Sequence, residues 1–160
     1  VRMVLLTLVL TGVGLAAGVL ADRWLPMDGG LEGGFLQLRL LYNPGVAFGL
    51  GDTLPAWLIT AATALITAGI AVYAWVVAAR TTAIGRAGLA TVVAGATANL
   101  IDRAVDGYVT DYLHTGWFPT FNLPDVFITV GAALVALAVL TEPATPHPAR
   151  TPERTRLDNP

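Results

Sequence analysis

Residues Asn99 to Ile128 read NLIDRAVDGYVTDYLHTGWFPTFNLPDVFI. Four carboxylates, Asp102, Asp106, Asp111 and Asp125, fall in this stretch, out of eleven acids in a chain that is only 12% charged. An apolar, alanine-rich run leads in and another leads out. Both are apolar enough to sit in lipid, and ionisable groups beside hydrocarbon are expensive to hold. Acids in that position mark a working site rather than an ordinary solvated face. Asp111 and Asp125 are the candidate pair.

Working outward, the run before the stretch is Ala87 to Ile101 and the run after it is Val126 to Thr141. Upstream lie Leu54 to Ala79 and Met3 to Ala21, the latter 19 residues without a charge. About 20 apolar helical residues cross a bilayer core, so four spans are expected, at about 3–21, 54–79, 87–101 and 126–141. The third is short, which puts Asp102 and Arg103 at the interface or slightly inside it. Reading 3–21 as a cleaved leader is weaker, because the later runs also need a membrane and no soluble domain follows. The expected fold is an all-α membrane protein of four transmembrane helices.

Composition agrees. Of the 160 residues 55% are hydrophobic, and the mean hydropathy is +0.67, above the usual share for a soluble domain. A net charge of −2 offers no basic surface to nucleic acid. With no cysteine there are no disulfides and no thiolate chemistry; with no serine a serine peptidase is disfavoured.

The loops between spans, 22–53 and 102–125, fall on one side. In the first, FLQLRLLY (residues 35–42) alternates with period two and predicts a strand. Asn43-Pro44-Gly45 is a turn, in which glycine permits a positive φ or a close backbone approach. Tyr108 and Val109 favour extended structure before Asp111, and a reverse turn through Gly116 and Pro119 would return the chain to Asp125. Residues 142–160 hold five of the ten prolines and are expected to be a disordered cytoplasmic tail. Arg2, Arg80, Arg86, Arg150, Arg154 and Arg156 lie on one side and Arg23, Arg39 and Arg103 on the other. That bias puts both termini in the cytoplasm and the acid-rich loops outside. Trp24, Trp57 and Trp117 then sit near the outer interface and Trp75 near the inner one.

Two carboxylates sharing a site cannot both ionise cheaply, so one proton is kept between them. The ionised member can activate water while the protonated one polarises a carbonyl. Asp125 has a structural alternative as the N-cap of the last span; Asp111 has none comparable. Asp102 and Arg103 read equally well as a structural ion-pair network. Asp106-Gly107 reads as a turn, His114 as an interface residue, and Asp22 and Asp52 as solvated or capping.

These residues resemble the lipoprotein signal peptidase (signal peptidase II) family, bacterial four-span membrane aspartyl peptidases. Asn43, Gly45, Ala47 and Phe48 fit its Asn-x-Gly-x-Ala-Phe box, and Asn99, Asp102 and Arg103 its Asn-x-x-Asp-Arg box. Asp111 with Tyr112 fits Val-x-Asp-Phe, and Phe118, Pro119, Phe121, Asn122 and Asp125 fit Phe-Pro-x-Phe-Asn-x-x-Asp. The resemblance implies a catalytic dyad of Asp111 and Asp125. It implies that Asn43, Gly45, Asn99, Asp102, Arg103 and Asn122 line or brace the substrate groove, beside a small extracytoplasmic β-cradle. It also implies cleavage of signal peptides from lipid-modified bacterial prolipoproteins, just before the diacylglyceryl-cysteine, by a monomer in the cell membrane. Neither metal nor cofactor is implied, and the partners are prolipoproteins and membrane lipids. The chain departs from the pattern in four places. No lysine follows Asp22, Ala94 and Ala98 stand where glycine is usual, and Pro124 replaces alanine. Competing readings are a non-catalytic paralogue that binds lipidated peptides, a small ion carrier and a metal-dependent lipid transferase.

Overall fold

The computed structural model describes residues 1–26, 30–31, 34–45 and 54–141. Ala47, Phe48, Asp52 and the tail lie outside the described residues. In chain order the elements are α1 (Arg2–Trp24), β1 (Gln37–Asn43), α2 (Ala56–Val77), α3 (Ala83–Asp106), β2 (Val109–His114) and α4 (Leu123–Leu140). All four helices are long and apolar enough to cross a membrane.

The third helix runs well past the expected 87–101. Thr82 caps its start, accepting from the Gly85 N–H at 3.1 Å, and Gly107 ends it at φ +92°. Charges do not end a helix; caps and left-handed residues do. Arg86, Asp102, Arg103 and Asp106 are therefore helical residues in its first and last turns. The fourth helix also starts early, at Leu123 rather than 126. Its N-cap is Asn122, and Asp125 sits at the third helical position of a capping box.

Helix α3 is the hub, packing most extensively on α4 and then on α1 and α2. Its buried side is nearly all Gly, Ala and Thr. Small residues let backbones approach where no hydrophobic effect drives helices together. A Cβ on Gly95 would lie 2.4 Å from the Pro124 carbonyl oxygen, and one on Gly88 2.7 Å from that of Gly131. Helices α1 and α3 run in the same direction, joined by Thr7 to the Ala90 carbonyl and Thr11 to the Ala94 carbonyl, both at 3.3 Å. Ala94 and Ala98 are fully buried. The methyl of Ala98 and the ring of Pro124 both face Gly14 of α1, where a Cβ would come within 3.3 and 3.0 Å of them. Two of the departures from the family pattern thus share one space, left open by a glycine.

The sheet joins β1 and β2 antiparallel, Leu41 opposite Asp111 and Asn43 opposite Val109. A register shift between Leu38 and Leu41 interrupts the expected alternation, leaving Leu40 as the buried residue of β1. After β2 the chain reverses through Gly116, at φ +83°, and Phe121 bridges back to Leu113. The sheet, the ends of α1 and α3 and the starts of α2 and α4 therefore gather at one end of the bundle. Trp24, Trp57 and Trp117 are exposed at that end, and Trp75 is exposed toward the other end of α2.

Candidate active site

Strand β2 has β1 on one edge and Phe121 on the other, with α1 and α3 against it. Val109, Thr110, Asp111 and Tyr112 are consequently all buried. Asp111 is only 3% exposed, and a carboxyl group there needs donors. Two amides supply them: Asn43 Nδ2 donates to Oδ2 at 3.1 Å, and Asn122 Nδ2 donates to Oδ1 at 2.8 Å.

Asp125 is served by the other half of the same cluster. Asn99 Nδ2 donates to its Oδ1 at 2.8 Å, and the backbone N–H of Asn122 donates to its Oδ2 at 3.1 Å. Asn122 Oδ1 accepts in return from the Asp125 N–H at 2.9 Å. Asn122, 1% exposed, is thus the bridge between the two acids: its side-chain amide holds one and its backbone amide the other. Among the described residues no hydrogen bond joins the two carboxyl groups directly. Capping and pairing are one arrangement, so the helix-start role of Asp125 does not compete with a chemical one.

Burial pushes the Asp111 carboxyl up to about 7, and the nearby Asp125 charge adds to the rise. The Asn43 and Asn122 amides and the Arg103 guanidinium pull the other way. Desolvation wins because those donors and that charge offset only part of the lost hydration. The cluster therefore offers a carboxylic acid near neutral pH beside a second carboxyl group, an acid–base pairing.

The remaining expected residues brace this core. Arg103, 5% exposed, donates from Nη2 to the Asn43 carbonyl at 3.3 Å and to the Gly45 carbonyl. Its contacts fix the turn that carries Asn43; among the described residues its hydrogen bonds go to carbonyls rather than to a carboxylate. The Gly45 N–H donates to Asn43 Oδ1 at 3.1 Å, and Gly45 is not among the glycines with positive φ. Asp102 Oδ2 accepts from the Thr110 N–H at 2.7 Å, tying α3 to β2. Asp106 lies apart, its Oδ1 accepting from the Tyr108 N–H at 3.0 Å. His114 meets Thr120 at 3.2 Å, away from the acids.

Two contacts went unanticipated. Tyr42 donates to Asp22, joining β1 to the end of α1. The Tyr112 hydroxyl accepts from the Leu123 N–H at 3.1 Å; its hint in the sequence was a tyrosine where the family pattern has phenylalanine. Behind Asn122 lies a cavity of about 10 Å³, lined by Gly14, Gly18, Asn99, Asp102, Tyr112 and Pro124 among others, about the size of one water. Among the described residues no group of three His, Asp or Glu side chains is placed to hold a metal ion.

The chain is 41% identical over 110 residues to the lipoprotein signal peptidases of Brucella ovis and Brucella abortus, covering 64% of this chain and 66% of each relative. It therefore spans just under two thirds of those relatives' length. Two solved bacterial membrane enzyme structures share the fold. One, at 2.3 Å resolution, has a TM-score of 0.77 and 21% identity, covering 94% of both chains. The other, at 1.9 Å, has a TM-score of 0.74 and 22% identity, covering 88% of this chain and 94% of that one. With this fold and four spanning helices the protein is a multi-pass membrane protein. The sequence profile of signal peptidase (SPase) II matches residues 6–141, from within α1 to the end of α4 and across every member of the buried cluster. The chain belongs to the signal peptidase II family.

Proposed function

We propose that the protein is an aspartyl endopeptidase that removes signal peptides from lipid-modified prolipoproteins, cutting just before the diacylglyceryl-cysteine. The observation that carries this reading is the pair of buried carboxyl groups bridged by Asn122, one of them titrating near neutral pH. Asp125, accepting from two N–H donors, takes a proton from water as the water oxygen attacks the scissile carbonyl carbon. Protonated Asp111 donates to the carbonyl oxygen, where negative charge develops. As the tetrahedral intermediate collapses, a proton passes from the dyad to the leaving nitrogen and the C–N bond breaks. One proton on the pair suffices, because the dyad titrates as a unit. Asn43, Asn99, Asn122 and Arg103 keep the two acids in place.

The arginine bias supports cytoplasmic termini. The gathering of β1, β2 and both acids at one end supports a site at the extracytoplasmic face, where a lipid-anchored substrate reaches it from the outer leaflet. We take the monomer as the working unit, with prolipoproteins and surrounding lipids as its partners. Clustering at one end also argues against an ion carrier, which needs acids along a path across the bilayer. The deciding experiment incubates the purified protein in detergent with a diacylglyceryl-modified prolipoprotein. A shortened product, formed equally in EDTA, is expected. An uncleaved substrate would leave the lipopeptide-binding paralogue as the reading, and loss of cleavage on chelation would point to metal chemistry.

A further inference from the structure

Leu123 is the first residue of α4, so its amide is one of the N–H groups at a helix start with no partner inside the helix. The capping box serves the amides of Asn122 and Asp125 but not this one. The Tyr112 hydroxyl accepts it at 3.1 Å. Tyr112 is 6% exposed, and burial holds its phenol above the usual range, so the hydroxyl stays neutral.

The contact completes a grip by one strand on three consecutive residues. The N–H groups of Tyr112 and Leu113 donate to the Phe121 carbonyl at 2.9 and 2.7 Å. Asp111 accepts from the Asn122 side chain, and Tyr112 accepts from Leu123. Asp125 follows within the first turn of the same helix. We propose that Tyr112 is a positioning residue that sets the separation of the two acids, by latching the first turn of α4 to the strand that carries Asp111. The inference rests on the peptidase reading above. Without the hydroxyl the half-buried amide of Leu123 loses its acceptor, and a donor shielded from water and left unmade is costly. The first turn of α4 then shifts to satisfy the amide, and Asp125 shifts with it.

The charged groups acting on Asp111 are Asp125 from α4 and Arg103 from α3; its β1 neighbour Asn43 is neutral. Only Asp125 moves when the latch opens. Its charge raises the affinity of Asp111 for a proton, so a wider separation lets that proton leave at lower pH.

The test is Tyr112→Phe. A fall in kcat of about tenfold, KM within about twofold of the parent and an alkaline limb displaced to lower pH are expected. Unchanged kcat and an unchanged limb would overturn the proposal. Hydrogen exchange at the Leu123 amide gives a readout independent of activity: it should speed in the variant, and an unchanged rate would also overturn the latch. If the parent protein does not cleave the lipopeptide, the peptidase reading fails while the exchange measurement still decides the contact. Should the phenylalanine variant not fold, 3-fluorotyrosine at position 112 keeps the oxygen as a weaker acceptor. It must then move the limb the same way in smaller measure, and no movement overturns the proposal.

Discussion

The seam between α3 and α4 and the polar end of the bundle, where the same two helices meet strands β1 and β2, are held by opposite means. Along the seam, Gly88 meets Gly131 and Gly95 meets Pro124 so closely that a single methyl would strike a backbone carbonyl. Shape alone sets the spacing there. At the end, Asp111, Asn122, Asp125 and Asn99 are joined by directed hydrogen bonds of 2.8 to 3.1 Å. Direction sets the spacing, and the groups are the ones that change charge. A rigid seam lets a costly polar cluster persist, because the two helices carrying Asn99 and Asp125 have no freedom to part. Substitutions should therefore separate the two regions: at the end they should remove chemistry, and in the seam stability.

The largest expected effect is at the acids. Asp→Asn keeps size and shape while removing titration. Asp111→Asn and Asp125→Asn should each lower cleavage by about a thousandfold or more, and the double variant should be little worse, because groups acting as a unit fail together. Comparison of the three rates in a lipopeptide assay checks this. Substantial cleavage by Asp111→Asn would remove it from the mechanism and leave Asp102 as the next partner for Asp125.

The same variant carries a second, smaller expectation about stability. In the folded protein Asp111 holds its proton up to about 7, against an ordinary value of 3.8. Between those values the folded state binds the proton more tightly than the unfolded state does. This group's contribution is therefore fully present below the ordinary value and is lost as pH rises toward 7. Asp111→Asn does not titrate, so its stability relative to the parent should rise from pH 4 to pH 7 and then level off. The ceiling on that rise is roughly 4 kcal/mol. At pH 4 the variant should be no better than the parent, since an amide there presents one oxygen and one NH₂ to two donor amides. Thermal melts in detergent across this range measure the slope; a flat difference would mean that Asp111 is not held protonated.

Much of this was legible in the chain before any coordinates. Four apolar runs, a period-two strand before Asn43 and two acid-rich loops on one side point to the helices, the sheet and the end of the bundle where the cluster forms. Helices α3 and α4 extend beyond their apolar runs for one reason: Arg103 lies buried inside the last turn of α3 and Asp125 inside the first turn of α4. Hydropathy records where lipid stops, and caps record where a helix stops. The bridging role of Asn122 could not be read either. It depends on a side chain and a backbone amide of one residue pointing at different acids, and residue order holds no trace of that. Gly14 was equally silent until Ala98 and Pro124 were seen to converge on it.

Two glycines, one in the seam and one outside it, supply the smallest effects, and they differ in sign. A Cβ on Gly95 would lie 2.4 Å from the Pro124 carbonyl oxygen and 2.8 Å from the Ile128 side chain. The carbonyl belongs to a helix backbone and cannot swing aside, so α3 and α4 must separate along their length. Overpacking of this kind costs about 1–3 kcal/mol, and some activity should go with it as Asn99 draws back from Asp125. Gly12 in α1 has nothing within 4 Å of the same position. A methyl there meets open space, and alanine is the better helix former by up to about 1 kcal/mol. Gly95→Ala should therefore lower the melting temperature in detergent and Gly12→Ala should leave it level or raise it slightly, with cleavage unchanged. If both alanines are tolerated alike, the close approach of α3 and α4 is not what holds the acids together, and the cluster must carry its own geometry.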